Sequence, residues 1–292
     1  MKYIKKVFGG IRLSWKRIII IAMIAGFYAA SMAIFPITKD TSFRDITVTF
    51  EVWILFGILI IMNSKSNKEA AFKCFVFFLI SQPLIYLIQI PFSPVGVQIL
   101  GYYKYWFIWT ILTLPMGYIG YYMKKDKWWT VLILIPMLIL LTIHLSTYLS
   151  EALYWFPRHL LTSLFCIASL IVYPFILKNR TARTIGLIVT SLLLLVSIIV
   201  AFAKPKIYNT VIGFSDSKMI GYFDQSYNAY LEDSKYGDIE IIYDEGMQLY
   251  RMDAKFKHGG ETKLIIESKG NKEYYDLNIR YSSYEIKKSK QN

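Results

Sequence analysis

The sequence predicts an α-helical polytopic membrane bundle of about seven transmembrane helices, followed by a C-terminal all-β, sandwich-like extracytoplasmic domain. Among 292 residues, 55% are hydrophobic and only 18% are charged, whereas soluble domains average about 45–50% apolar and about 25% charged residues. The apolar residues are concentrated in 18–203 as successive runs. The polar remainder, 204–292, contains stretches that alternate apolar and polar residues, which is typical of half-buried strands.

The N-terminal segment, 1–17, is basic and precedes the first apolar run. That run is about 20 residues long, which exceeds the roughly 7–15 apolar residues of a secretory signal peptide. We therefore expect a signal anchor that is retained, with 1–17 in the cytoplasm. Within it, Tyr3–Trp15 interleaves apolar and basic residues, and forms either an amphipathic helix on the inner leaflet or a short solvated lead-in.

The bundle is predicted from apolar runs, because a spanning helix needs roughly 20 mostly apolar residues. The second and fourth predicted spans are near the short end of that range. A further segment, 92–104, is too short to span and too apolar for a free loop, so it either lies in the outer interface or re-enters the membrane. The seven predicted spans are 18–38, 47–63, 70–91, 105–122, 128–148, 157–177 and 184–203.

The basic residues predict the orientation of these spans, because Lys and Arg are enriched in cytoplasmic loops. Fifteen of the 19 basic residues before position 204 fall at the N-terminus or in alternate loops, whereas 204–292 has equal numbers of acidic and basic residues. We therefore expect a plasma-membrane protein with a cytoplasmic N-terminus and an extracellular C-terminal domain. The net charge of +13 then lies on the cytoplasmic face, where it favours anionic lipid headgroups over nucleic acid.

Two glutamines in the third predicted span form a candidate polar face in the bundle. Gln82 and Gln89 are seven residues apart, so they lie on one side of a helix two turns apart. One interpretation is a polar path or substrate contact in a small-solute transporter or transporter subunit. The alternative is hydrogen bonding between helices.

Four ionisable residues form a candidate cluster at the outer face: Glu51, His144, Glu151 and His159. Such residues could run acid–base chemistry or bind zinc in a membrane enzyme. The alternative is that they are interfacial residues in water, since their spacing matches no catalytic or metal-binding motif. We therefore predict no catalytic residue, no metal site and no cofactor.

The C-terminal domain is predicted to contain about seven strands. Clear alternation occurs at 250–257 and 275–281. His258-Gly259-Gly260 and the Lys269–Lys272 stretch separate successive strands and are interpreted as hairpin turns, where glycine supplies a positive φ. Shorter candidate strands lie at 209–214, 219–224, 228–232 and 238–242. This spacing favours a small antiparallel sandwich.

Two resemblances accompany these patterns. The stretch from Ala254 to Ile266, together with Tyr275–Ile279, resembles the latter half of bacterial immunoglobulin-like β-sandwich modules, which implies a binding or spacer module. The middle third of the chain, from Thr49 through Met62-Asn63 and on to Tyr103-Lys-Tyr-Trp, resembles an uncharacterised family of polytopic membrane proteins from Gram-positive, Clostridia-type bacteria. That resemblance implies the plasma membrane of a single-membrane cell and carries no activity.

These observations favour a surface binding, sensing or accessory protein, without enzymatic activity, that displays its β-sandwich to a cell-wall or protein partner. A small-solute transporter or transporter subunit is the first alternative. A membrane enzyme with an outer-face Glu/His site is the third hypothesis.

Overall fold

The structure is a computed structural model. It describes residues 2–38, 41–47, 49–154, 158–203, 208–217, 220–268, 270–280 and 284–289. The chain divides into two compact units. A helical unit comprises Met1–Pro91 and Tyr103–Lys204, and a β unit comprises Phe92–Tyr102 and Pro205–Asn292. Parts of the predicted segments lie outside the described residues, namely Met1, Val48, Pro157, 204–207, 218–219, 269, 281–283 and 290–292.

The helical unit consists of helices of very different lengths. Four segments are long and apolar enough to cross a membrane, Trp15–Ile34, Asn67–Phe92, Trp128–Leu153 and Arg180–Ala203, which supports membrane association. Glu51–Met62 and Leu160–Ile176 are shorter apolar helices, so the predicted count of seven exceeds the number that length and composition establish. The helices are α1 (Lys2–Val7), α2 (Trp15–Ile34), α3 (Ser42–Asp45), α4 (Glu51–Met62), α5 (Asn67–Gln89), α6 (Tyr103–Gly120), α7 (Val131–Tyr154), α8 (Leu160–Val172) and α9 (Arg180–Ala203).

Polar caps set the starts of two of the long helices. The Ser14 hydroxyl accepts a hydrogen bond from Arg17 N at 3.4 Å at the start of α2, and the Ser66 hydroxyl accepts one from Glu69 N at 3.2 Å at the start of α5. Such caps satisfy backbone N–H groups that have no partner within the helix. Helix α7 continues six residues beyond its predicted end at 148 and so includes Glu151.

Small residues allow the helices around α5 to approach closely. A Cβ on Gly26 of α2 would lie 2.8 Å from Ser81 O, and one on Gly117 of α6 would lie 2.8 Å from Ala71 Cα. Close contact at small residues is typical of helix packing in membranes. In contrast, α9 leaves Leu192 59% exposed and Phe202 64% exposed in this structure. Such large exposed apolar side chains are unfavourable in water and favourable in contact with lipid.

In the described residues the β unit contains seven strands in two antiparallel sheets, which confirms the predicted β-rich character of the C-terminal part. The strands are β1 (Tyr208–Phe214), β2 (Asn228–Leu231), β3 (Gly237–Asp244), β4 (Leu249–Phe256), β5 (Gly260–Ser268), β6 (Asn271–Ile279) and β7 (Tyr284–Lys288). One sheet has the order β1-β4-β3 and the other the order β2-β5-β6-β7. The Tyr284 hydroxyl connects them, because its one hydrogen is shared between the carbonyl oxygens of Val211 and Ile212, which lie 2.9 and 3.0 Å away.

The connections between strands differ in part from the prediction. The turn near Gly270 is a hairpin, as predicted, since Gly270 has φ 86° and Ser268 pairs with Asn271. The prediction for His258-Gly259-Gly260 was wrong, because β4 and β5 belong to different sheets and this stretch crosses between them. Gly260 nevertheless has a positive φ of 144°, so the glycine signal located a change of direction without indicating which strands pair.

One further strand prediction was wrong, and one strand was not predicted. Of the predicted strand 219–224, the described residues 220–224 form no strand, and Gly221 makes only an isolated bridge to Ser217. Conversely, β7 was not predicted. Strand β7 pairs with β6 at the edge of its sheet. A strand at a sheet edge shows little of the alternation of apolar and polar residues by which buried strands are identified in a sequence.

The segment before α6 folds with the β unit. The prediction that 92–104 lies in the outer interface or re-enters the membrane stays a prediction. Within this segment, Gly96–Tyr102 is a 3₁₀ helix that contacts the β3–β4 turn, where the Tyr102 hydroxyl donates to Asp244 Oδ2 at 3.2 Å. A Cβ on Gly101 would lie only 1.5 Å from Gly246 O, so only glycine permits this approach. Two stretches of chain that are distant in sequence therefore form one folded unit.

Candidate functional site

The predicted glutamine face lies on α5, where its two members have different surroundings. Gln82 is buried, and its Nε2 has no hydrogen-bond partner among the described residues. Gln89 is half-buried and donates from Nε2 to Ile85 O, one turn earlier in the same helix, at 3.0 Å. Among the described residues, neither amide nitrogen therefore donates a hydrogen bond to another helix.

The outer-face cluster contains a close contact between Glu51 and His144. Glu51 is the first residue of α4 and is fully buried, and His144 lies on α7. His144 Nδ1 donates to Glu51 Oε1 at 2.6 Å. Glu51 Oε2 has no hydrogen-bond partner among the described residues. Since a buried polar group is costly unless it is hydrogen-bonded, the contact with His144 is what satisfies the Glu51 carboxyl group among the described residues.

His159 contacts two carboxylates, one through each ring nitrogen. Its Nδ1 lies 2.7 Å from Asp45 Oδ2, and its Nε2 lies 2.9 Å from Glu151 Oε2. Because each of these contacts needs an N–H, the doubly protonated imidazolium satisfies both of them. Arg158 Nε lies 3.3 Å from the same Glu151 oxygen and 3.1 Å from His159 Nε2. Its acceptor is the carboxylate, because a protonated Nε2 has no lone pair to offer.

The backbone before α8 brings Asp45 and His159 together. His159 adopts a left-handed conformation with φ 52°, which is uncommon for a residue other than glycine. The first N–H groups of α8 are satisfied by the hydroxyl of Ser42 from α3, which accepts from Leu161 N at 3.1 Å and Thr162 N at 3.3 Å. The Thr162 hydroxyl also donates to Asp45 Oδ2. Helix α3 is thus held against the start of α8, with its acidic residue facing His159.

Tyr148 connects the two pairs. Its ring centroid is 6.0 Å from that of His144 and 4.9 Å from that of His159. The two carboxylate–histidine pairs therefore form one site arranged around a phenol.

The sequence identified four members of this site and missed three: Asp45, Tyr148 and Thr162. Tyr148 could have been found, because it lies one helical turn after His144. Asp45 carried no such signal, since it is 114 residues from His159 in the chain, and Thr162 resembles any other small polar residue in an apolar helix.

The chemistry available at this site is proton binding and transfer. It combines carboxylates, imidazoles and a phenol at hydrogen-bond and ring-contact distances, which are the groups used in general acid–base catalysis. Over the described parts of the chain, no group of three or more His, Cys, Asp or Glu side chains is arranged to hold a metal ion.

In comparisons with known proteins, no family model, no curated protein and no solved structure matches this chain. The functional interpretation therefore depends on the geometry of the residues themselves.

Proposed function

We propose that this chain is a multi-pass protein of the plasma membrane that carries its β unit outside the cell, where the unit binds a cell-wall or protein ligand. Its role is that of a surface binding, sensing or accessory protein. The observation that carries the proposal is the buried core of the β unit. Phe223, Met252, Phe256, Leu264 and Tyr275 are all at most 1% exposed, so a well-packed module follows a membrane-associated helical part.

Seven crossings remain our proposal for the helical unit. Helix α6 has 18 residues, which at 1.5 Å per residue spans about 27 Å, close to the roughly 30 Å of a bilayer core. Helix α4 has 12 residues and spans only about 18 Å. In the proposed topology, residues 41–47 and 49–50 contribute to this crossing, and the contacts of Asp45 and Glu51 with histidines satisfy these carboxyl groups at that depth.

The position of residues 92–102 constrains the topology further. Because these residues fold together with the C-terminal strands, both must lie on the same side of the membrane, and an even number of crossings must separate them. Four crossings, by α6, α7, α8 and α9, satisfy this condition. Two crossings, by the long helices α7 and α9 alone, also satisfy it. The seven-crossing topology places the β unit outside and the four-crossing topology places it inside. The asymmetry of basic residues favours the former.

Reporter fusions distinguish these two topologies. A reporter enzyme that is active only outside the cytoplasm, fused after Asn292, is expected to be active, and a fluorescent reporter that matures only in the cytoplasm is expected to be dark there. Fusion after Lys65, in a proposed cytoplasmic loop, should give the reverse result. Cytoplasmic fluorescence at Asn292 would refute the extracellular placement.

The binding role is tested by sedimentation of the detergent-solubilised full chain with purified cell-wall fragments and, in parallel, by crosslinking to surface proteins in intact cells. A chain truncated after Ala203 should lose the binding that the full chain shows. Equal binding by both chains would exclude the β unit as the binding module.

A membrane enzyme is the second candidate, and the contact between Glu51 and His144 favours it. A buried carboxylate that accepts from an imidazole is an arrangement that general acid–base catalysis uses. Any turnover by the purified chain should fall at least 100-fold in His144→Ala, since general acid–base catalysis contributes about 10²–10⁴-fold. A His258→Ala variant in the β unit is the control, and equal activity of the two variants would exclude this site as the catalytic one.

A further inference from the structure

Residues 3–13 form a strap across one end of the helical unit, and we call this segment the strap. The Asn63 side chain, directly after α4, holds it through three hydrogen bonds. Asn63 Oδ1 accepts from Gly9 N at 3.1 Å and from Ile11 N at 2.7 Å, and its Nδ2 donates to Val7 O at 2.9 Å. These contacts join residues that are 52 to 56 positions apart in the chain, so the strap is docked on the bundle.

A second anchor holds the other end of the strap. The Lys73 ammonium group of α5 donates to Leu13 O and to Glu69 Oε1, the latter at 2.6 Å, and the Lys73 side chain is only 3% exposed. Since a buried ammonium group is costly unless it is hydrogen-bonded, Lys73 fixes this end of the strap against α5. The strap lies at the end of the bundle opposite to the polar site, because α4 begins in that site at Glu51 and ends next to Asn63.

The strap covers the end of a buried polar face on α8. This face begins beside the polar site, where His159 is the N-cap of α8. Residues three or four positions apart share one side of a helix, and four buried residues with hydroxyl or thiol groups follow this spacing along α8 and its 3₁₀ continuation: Ser163, Cys166, Ser169 and Tyr173. At the far end, the Phe8 ring of the strap packs edge-to-face on Tyr173, with 6.4 Å between the ring centroids. Phe8 therefore closes this end of the polar face.

The strap has two apolar sides. On one side, Ile4, Phe8 and Leu13 pack against the core of the helical unit. On the other side, Tyr3 is 84% exposed, and water disfavours a row of such side chains. The exposed row recurs every four residues and extends to the first residue of α2: Tyr3, Val7, Ile11 and Trp15.

The exposed side of the strap fits a lipid surface. The strap leads directly into α2, which is long and apolar enough to cross a membrane, so it lies where that helix leaves the bilayer. Residues 1–17 contain six basic residues and no acidic one, and the Lys6 and Arg12 side chains are exposed. Apolar and aromatic side chains next to basic ones are typical of segments that lie in the headgroup region of an anionic leaflet.

We infer that the strap is held between the bundle and an anionic lipid leaflet, and that it closes the polar face of α8 at Tyr173. In the docked strap the exposed row continues into the start of α2, so contact with lipid and contact with the bundle are made together. A leaflet that binds this conformation shifts the equilibrium toward it. An anionic leaflet therefore keeps the polar face closed, and a neutral leaflet lets it open more often. This inference goes beyond the proposed function and does not depend on which side of the membrane carries the β unit.

The first test is hydrogen exchange of the full chain in nanodiscs of phosphatidylcholine alone and of phosphatidylcholine and phosphatidylglycerol in equal parts. The amides of Gly9 and Ile11 report on docking directly, because both donate to Asn63. They should exchange at least fivefold more slowly in the anionic nanodiscs, the fold-change expected from one basic residue near an anionic surface.

Charge variants separate the strap from the general attraction of the chain to anionic lipid. Lys6→Gln combined with Arg12→Gln should remove most of the difference between the two lipid compositions. Lys125→Gln combined with Lys127→Gln is the matched control, since both are exposed lysines in the connection between α6 and α7. This control should leave the difference as it is in the unchanged chain.

The second test measures closure through the thiol of Cys166, which is buried two helical turns before Tyr173. Its reaction with N-ethylmaleimide, located by mass spectrometry, should be about fivefold faster in Phe8→Ala, because an edge-to-face aromatic contact is lost. Asn63→Ala should also accelerate it at least fivefold, since this variant releases the strap and leaves α8 unchanged. Phe35→Ala is the control, because Phe35 is exposed at the other end of α2.

Three results would overturn the inference. Equal exchange of Gly9 and Ile11 in the two lipid compositions would exclude the leaflet as the partner of the strap. An equal effect of the strap and control charge variants would assign the lipid response to the whole chain. An unchanged Cys166 reaction in both Phe8→Ala and Asn63→Ala would exclude closure. A cytoplasmic C-terminus in the reporter assay would reject the proposed surface role and leave the strap inference intact.

Discussion

Replacing Asp244 with alanine is expected to destabilise the β unit by about 3–5 kcal/mol. Asp244 is buried at the end of β3, and its carboxylate accepts four hydrogen bonds. Oδ1 accepts from Gly246 N at 2.8 Å and Met247 N at 3.0 Å, and Oδ2 accepts from Arg251 Nη1 at 2.7 Å and the Tyr102 hydroxyl at 3.2 Å. One side chain thus closes the β3–β4 turn and joins it to the segment before α6.

The magnitude follows from these four bonds. Hydrogen bonds to a charged group contribute about 1.5–3 kcal/mol each when buried, and the two from the turn backbone belong to this class. The bond from Arg251, which is 28% exposed, contributes less because solvent screens it, and the phenol adds about 1 kcal/mol. The sum of these four contributions exceeds the expected loss of stability. The difference arises because the chain relaxes around the alanine and because the contributions of neighbouring hydrogen bonds are not additive.

The assay is hydrogen exchange of the full chain in nanodiscs, combined with urea unfolding of the β unit. In Asp244→Ala, amides in 96–102 and in 244–251 should exchange faster together, because one carboxylate holds both segments. Tyr102→Phe should cost about 1 kcal/mol and accelerate exchange in 96–102 alone. Burial and the charge of Asp244 raise the pKa of Tyr102, so its hydroxyl remains a donor at neutral pH and the comparison is valid there.

Asp238→Ala is the matched control for this prediction. Asp238 lies on the same strand and pairs with Lys257 at 2.7 Å, but both side chains are exposed. Exposed pairs of this kind contribute about 0–1 kcal/mol. If Asp244→Ala and Asp238→Ala had equal effects on stability and exchange, the assignment of Asp244 as the link between the turn and 92–102 would be refuted.

Three further predictions concern other parts of the chain. Glu51→Ala should lower the stability of the helical unit by about 2–4 kcal/mol in thermal unfolding in detergent. Removing one partner of a buried pair costs about 3–5 kcal/mol, and the cost is smaller here because His144 is partly exposed. An unchanged unfolding midpoint would contradict this prediction. Gln82→Leu should leave the stability unchanged or raise it, since a buried amide nitrogen without a partner costs about 1–3 kcal/mol, and only a transporter that uses this face would lose solute uptake. Hydrogen bonding to Lys288 lowers the pKa of Glu273. The stability that this carboxylate contributes is therefore complete above the unfolded carboxyl pKa of roughly 4.3 and is lost as the pH falls through the lower folded value. Glu273→Gln should weaken the pH dependence of urea unfolding in that acidic window, and a pH dependence identical to that of the unchanged chain would contradict this prediction.

The long helices and strand β4 could be predicted from the sequence because a local signal defines each of them. Helix α9 is a nearly uninterrupted apolar run, and β4 alternates buried Met252, Ala254 and Phe256 with polar residues. The boundaries were less accurate. The end of α7 was placed at 148, but the helix continues to Tyr154, because polar residues in its last turns pair with other helices and do not mark a loop.

The pairing of strands could not be predicted in the same way. The glycines of 258–260 indicated a positive φ, which a hairpin and a crossover between sheets share. Which strands pair depends on contacts far apart in sequence, such as the β1–β4 ladder that joins Tyr208 to Phe256. Likewise, the docking of 92–102 depends on Gly101 meeting Gly246, and neither glycine carries a local signal for the other.

The polar site refines what the distribution of charge in the sequence implied. A count of Lys, Arg, Asp and Glu makes the predicted outer boundary of the helical unit neutral, with histidine treated as uncharged. In the structure, Asp45, Glu51 and Glu151 converge there, and Arg158 is the one arginine paired with them among the described residues. His144 and His159 supply further polar contacts to these carboxylates, with ring nitrogens 2.6–2.9 Å from the carboxylate oxygens. Because Asp45 ends α3, Glu51 begins α4, His144 and Glu151 lie on α7 and His159 precedes α8, these histidine–carboxylate contacts hold α3, α4, α7 and α8 together around the site.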